Sequence, residues 1–154
     1  MKLQTSPNQM AAIGLLSPPN PAQAEVFDQN LRPQVIVADD DVYFRRVLSL
    51  MLIAKGYNVR CVDDGEAGWE SPSAEPFDLL ITDYEMPRLS GLNLLHRMRE
   101  TGYSQPVILM SGNLPQAPSE LKRFLTPGAA LSKPFCFTNL LLLMETLIKT
   151  ARSA

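Results

Sequence analysis

From Gln34 onward, short apolar runs alternate with stretches whose apolar residues recur every three or four positions. That alternation marks βαβ units and a parallel sheet. The runs Val35–Ala38, Asn58–Val62, Asp78–Thr82, Val107–Met110 and Ala129–Ser132 read as strands. Between the first two, Val42–Lys55 sets Phe44, Val47, Leu48, Met51 and Leu52 on one helical face, with Asp41 as N-cap and Gly56 as stop. Gly91–Thr101 repeats Leu92, Leu95 and Met98 ahead of Gly102. Thr138–Ala151 carries Leu140, Leu143, Met144, Leu147 and Ile148, and leaves Leu141 and Leu142 off that stripe. Two connections are poorer helices. Glu66–Ser71 is cut short by Pro72 and Pro76, and Pro115, Pro118 and Pro127 leave only Ser119–Leu125 free to coil. Right-handed crossovers between five strands then predict an α/β fold, a doubly wound parallel sheet with helices on both faces.

Residues 1–33 break the pattern. They hold Pro7, Pro18, Pro19, Pro21 and Pro33 and no sustained apolar periodicity, so an irregular tail precedes a single domain over 34–151. The tail is read as an inert extension, the alternative being that Ile13, Leu15 and Leu16 dock onto the domain. No output domain is expected, since only Arg152, Ser153 and Ala154 follow the last helix.

A chain of 154 residues with 45% hydrophobic and 19% charged positions has room for one core and is too apolar for wholesale disorder. Its 14 basic and 16 acidic residues give no general attraction to nucleic acid or to anionic membrane. The apolar run Leu140–Met144 is far below the ~18 residues of a membrane span. The N-terminus imitates a secretory signal, but Pro18, Pro19 and Pro21 separate the apolar Met10–Leu16 from the small residues Ala22-Gln23-Ala24. With Cys61 and Cys136 far apart and in no metal-spaced cluster, a reduced, cytoplasmic chain is expected.

Candidate chemistry sits where the strands end. VIVA runs into Asp39-Asp40-Asp41, LLIT into Asp83, VILM into Ser111 and AALS into Lys133. Crossovers in a parallel sheet return every strand to the same edge, so carboxylates, a hydroxyl and an amine are expected to converge there. An oxygen-only donor set in a chain with a lone histidine favours a hard divalent cation, Mg2+ ahead of Ca2+, with waters completing the shell. Such a site suits phosphoryl groups, and an ionised aspartate can itself be the nucleophile. Each element alone is ordinary: Asp41 is a helix cap, and the others could be turn residues. Their joint placement carries the reading.

The motifs VIVADDD, LLITDYEMPRLSG, VILMSGN and SKPF, in that order, resemble the receiver domains of two-component response regulators, over about Gln34 to Thr150. The resemblance implies a flavodoxin-like fold with strand order 2-1-3-4-5. It implies Asp83 as phosphoacceptor, and Mg2+ held by Asp39, Asp40, Asp83 and the main-chain carbonyl of Glu85. Lys133 would neutralise phosphoryl oxygens, with a cis bond to Pro134, and Ser111 would be the hydroxyl that turns toward the phosphoryl group. Implied partners are a histidine kinase or histidine phosphotransfer protein and a downstream protein target. A homodimer through the last helix face would be compatible.

The sequence departs from the family in one stretch. Three residues before the lysine, where many receivers carry Tyr or Phe, this chain has Ala130, and the usual Gly-Ala pair lies closer to the lysine as Gly128-Ala129. That leaves the phosphate chemistry intact and weakens the usual route of signal transmission. The alternative is a receiver-like scaffold whose protein contacts ignore phosphorylation. An aspartate-nucleophile phosphohydrolase of the haloacid dehalogenase type is disfavoured, because the second acid it needs is Glu85 here rather than Asp. His96 is read as an ordinary helix residue, not a phosphodonor.

Overall fold

The computed structural model describes residues 32–113 and 119–153. Most of the expected tail, and Pro115 and Pro118 within residues 114–118, lie outside the described residues. Five strands and five helices alternate: β1 Gln34–Ala38, α1 Val42–Ala54, β2 Asn58–Val62, α2 Gly65–Ala74, β3 Leu79–Asp83, α3 Gly91–Glu100, β4 Val107–Ser111, α4 Ser119–Leu125, β5 Gly128–Ser132 and α5 Phe137–Ser153. The sheet is parallel throughout in the order β2-β1-β3-β4-β5, as the sequence and the resemblance predict. The order reverses direction at β1 and β3, so the crevice at the ends of those two strands is the topological switch point.

Strand alternation sorts the core into two layers. Val35, Val37, Leu79, Ile81, Ile108 and Met110 face α1 and α5, where they meet Leu48, Leu52, Leu140, Met144 and Ile148. Ile36, Ala38, Leu80, Val107 and Leu109 point the other way, onto Leu94, Leu95 and Met98 of α3 and Leu121 and Leu125 of α4. Each fully buried Leu or Ile contributes roughly 1.5–3 kcal/mol, so the three central strands, buried on both faces, fix the frame that aims their C-terminal ends.

Several boundaries and faces differ from the sequence reading. β3 ends on Asp83 and β4 on Ser111, so both residues are the last of their strands rather than the first of a loop. α2 runs on past Pro72 to Ala74. The proline removes a single N–H near the helix end, and the guanidinium of Arg60 donates to the carbonyls of Ser71 and Glu75, satisfying acceptors there. Val47 and Met51, assigned to the buried face of α1, are 57% and 38% exposed. The sheet covers an arc centred on Leu48 and Leu52, and both residues fall outside it. Leu141, expected off the stripe, packs against the α1–α5 core layer, whereas Leu142 is 60% exposed as expected.

Candidate functional site

Four strands finish at one edge, and each delivers one of the expected side chains: Asp39 after β1, Asp83 closing β3, Ser111 closing β4 and Lys133 after β5. Asp39 is 1% exposed. Its Oδ1 accepts from the Asp41 N–H at 2.9 Å and its Oδ2 from Lys133 Nζ at 2.9 Å. Its carbonyl accepts from the Arg45 guanidinium, which places a second cation behind the site. Asp41 is the N-cap of α1, its Oδ1 accepting from Tyr43 N–H and Phe44 N–H, as the sequence predicts.

Asp83 is held by both oxygens. Oδ1 lies 2.7 Å from Lys133 Nζ and Oδ2 accepts from the Glu85 N–H at 3.0 Å, which fixes the rotation of the carboxylate. The loop that follows is anchored at both ends. Tyr84 N–H donates to the Met110 carbonyl at 2.7 Å, and Gly91 N–H donates to the Tyr84 carbonyl at 3.0 Å. A Cβ on Gly91 would stand 1.9 Å from the Asp83 carbonyl oxygen, so α3 can begin this close to Asp83 only at a glycine. Arg88, with φ at 64°, reaches across to the carboxylate of Asp64, the buried N-cap of α2. The pairing joins two loops, so nothing local in the sequence signals it.

Ser111 is buried, its Oγ accepting from the Asn113 N–H at 3.1 Å while its carbonyl accepts from the Lys133 N–H at 2.7 Å. The Lys133–Pro134 bond is cis, as the resemblance implies, and Thr126–Pro127 is cis as well. The Lys133 ammonium lies 4.3 Å from the centre of the Phe44 ring, which meets Phe135 edge-on at 6.1 Å. These two rings form a shelf under the amine. Phe44 was legible only as a core residue and Phe135 only as part of SKPF, so their shared role depended on the fold bringing α1 beside the β5–α5 connection.

Burial pushes the Asp39 carboxyl above its ordinary value, outweighing the Lys133 hydrogen bond and the Asp41 N–H that favour its charge. Burial also works against the Lys133 ammonium, but the bonds to Asp83 and Asp39 prevail and hold the amine above its ordinary value. The Lys133–Asp39 bond thus helps Asp83 to hold the ammonium, yet does not offset the desolvation of Asp39. Asp40 and Glu85 are exposed at the rim. Among the described residues no three His, Cys, Asp or Glu side chains stand together as a ready metal cage, so of the three expected carboxylates the fold draws two, Asp39 and Asp83, onto a common cation. No helix among the described residues is long and apolar enough to cross a membrane.

The response regulator receiver domain profile matches residues 35–145. The chain belongs to this family. Among curated receivers, the chain is 36% identical over 100 residues to two-component response regulator ORR3 of Oryza sativa subsp. indica, covering 63% of this chain and 75% of that one. It is 37% identical over 103 residues to the 3′,5′-cyclic-nucleotide phosphodiesterase regA of Dictyostelium discoideum, covering 61% of this chain but only 13% of that protein's length. Response regulator protein TrrA from Thermotoga maritima, solved in complex with Mg2+ and BeF, superposes with a TM-score of 0.68 at 24% identity, over 75% of this chain and 98% of its own. At that identity the likeness is one of receiver fold.

Proposed function

We propose that this receiver accepts a phosphoryl group on Asp83 from a histidine kinase or histidine phosphotransfer protein and, once phosphorylated, changes how it binds a downstream protein in the cytoplasm. The observation that carries the reading is the shared ammonium. Lys133 Nζ reaches both Asp39 and Asp83 at the switch point of the sheet. The Asp83 carboxylate, fixed by Lys133 and the Glu85 N–H, is oriented to attack phosphorus; the O–P bond forms as the P–N bond to the donor imidazole breaks. Lys133 then shifts its charge from the carboxylate to the phosphoryl oxygens.

The donor set fits Mg2+. It is made of oxygens alone, and the buried Asp39 carboxylate is only partly compensated by an amine that it shares with Asp83. Asp39, Asp40, Asp83 and the Glu85 carbonyl would hold the ion with waters, and when bound it supplies positive charge to phosphoryl oxygens that approach an acidic cleft. Intact mass after incubation with acetyl phosphate and Mg2+ tests the proposal. One phosphoryl increment is expected, absent in Asp83→Asn and absent in excess EDTA; an adduct persisting in either would overturn it.

Readout is assigned to the segment after β4. Ser111 Oγ is bonded to the Asn113 N–H, so turning the hydroxyl toward a phosphoryl group breaks that bond and releases the backbone at Gly112 and Asn113. Ala130 lies exposed on the outer strand and has no ring to rotate inward. The exposed Leu142 on α5 suits a protein contact or a homodimer through that helix. A light-scattering mass that stays monomeric with beryllofluoride would remove the dimer.

A further inference from the structure

The outward flank of α1 carries an apolar stripe that the rest of the described fold does not cover. Tyr43 is 81% exposed, Val47 57% and Leu50 60%, and these three follow one another at intervals of four and three residues along the helix. Met51 lies next to them, on the way round to the buried face. The charged residues of α1, Arg45 and Arg46, are both basic. Exposed apolar side chains in one continuous row are unlike the scattered ones of an ordinary surface and mark a place where something docks.

The chain itself enters the fold at the foot of this helix. Tyr57, just beyond α1, donates its N–H to the Leu52 carbonyl, and Asn58 N–H donates to the carbonyl of Pro33. Pro33, Tyr57, Ile148 and Lys149 line a cavity of about 340 Å3 at that point, between the start of β2 and the end of α5. The first described residues, Arg32 and Pro33, therefore lie beside the C-terminal end of α1.

We propose that the segment Met10–Leu16 of the same chain lies along this stripe, with Ile13, Leu15 and Leu16 against Tyr43, Val47 and Leu50. Reach is sufficient. The 16 residues from Ser17 to Arg32 span about 22 Å as a flexible coil and more where Pro18, Pro19 and Pro21 stiffen them, whereas the 13 residues of α1 are about 20 Å long. Charge agrees with the fit: between Ser17 and Leu31 the charged residues are Glu25 and Asp28, both acidic, opposite the basic α1. Tethering favours this occupant over a second copy, because a linker of this length holds the segment at an effective concentration on the order of mM. Tyr43, at the top of the stripe, follows the Asp41 cap, so the docked segment ends beside the Asp83 cleft.

Cross-linking in the full-length chain tests this independently of phosphorylation. With Cys61 and Cys136 replaced by Ser, the pair Ile13→Cys and Val47→Cys is oxidised beside a control pair, Ile13→Cys and Glu100→Cys, whose second site is exposed on α3 across the sheet. The stripe pair is expected to close within the monomer about tenfold faster than the control, at a rate independent of protein concentration, and adding Leu15→Glu with Leu16→Glu should abolish the difference. Equal rates for the two pairs would overturn the proposal. So would a fast rate indifferent to the Glu substitutions, which would reflect tethering alone, or disulfides formed only between chains, which would assign the stripe to a second copy.

Discussion

Lys133 Nζ lies 2.7 Å from Asp83 Oδ1, so the residue proposed to receive a phosphoryl group is ion-paired before any phosphoryl arrives. The amine is also bonded to Asp39, which is buried almost completely. One cation therefore compensates two carboxylates, and the site carries excess negative charge that a divalent ion would relieve.

Removing that cation leaves Asp39 buried without its charged partner. Lys133→Ala is expected to destabilise the fold by about 1–3 kcal/mol, less than a fully buried pair would lose because Lys133 is partly open to solvent. Urea denaturation in metal-free buffer measures it, and a midpoint at or above that of the parent chain would contradict the pairing.

The pH dependence follows from two groups displaced upward. A raised Asp39 favours the fold while protonated; its contribution is full below the ordinary carboxyl value of 3.8 and is lost as pH rises through the folded value. At neutral pH its charge is therefore a cost, and Asp39→Asn should be more stable than the parent in EDTA, with the gap closing on acidification. Lys133 gives the opposite limb. Its stabilising contribution is present below the ordinary amine value of 10.5 and disappears as pH rises through its folded value. In Asp39→Asn the alkaline loss should shrink, because one of the two carboxylates that raise the amine is gone. Thermal melts across the pH range check both limbs, and an Asp39→Asn chain less stable than the parent at pH 7 would reverse the assigned sign.

Two glycines near the site should respond differently to a methyl group. Gly91→Ala drives a Cβ into the Asp83 carbonyl and should cost at least about 1–3 kcal/mol while slowing phosphorylation by acetyl phosphate. At Gly112 an added Cβ meets nothing within 4 Å among the described residues, so Gly112→Ala should stay within about 0.5 kcal/mol. Denaturation midpoints and phosphorylation time courses compare the pair directly.

Ala130→Tyr places a ring on the exposed side of the outer strand. Stability should change by less than about 0.5 kcal/mol, and amide exchange on beryllofluoride binding should still change most at Gly112, Asn113 and α4. A shift of the exchange response to residues 129–135 would show that an aromatic at this position, and not the loop after β4, governs the readout.

The sheet was largely legible because three central strands buried on both faces must be continuous apolar runs, and their polar successors then name the site. Helix faces were less so. Periodicity identifies α1 but does not say which part of its broad apolar arc the sheet covers, so Val47 and Met51 read as inward although they are exposed. Pro72 reads locally as a stop, since nothing nearby in sequence reveals that Arg60, a strand residue, supplies donors to the end of α2. At the site, Asp39, Asp83, Ser111 and Lys133 were legible from strand ends. The supports of Arg45, Phe44 and Phe135 were not, because each depends on which helix the fold lays beside the lysine.

The Lys133–Asp39 bond closes a separation of 94 residues, from the loop after the first strand to the loop after the last. During synthesis the aspartates emerge long before their cation does. A chain ending before β5 holds Asp39 and Asp83 without the amine they share, so the proposed phosphoacceptor site is complete only once the last strand has been made.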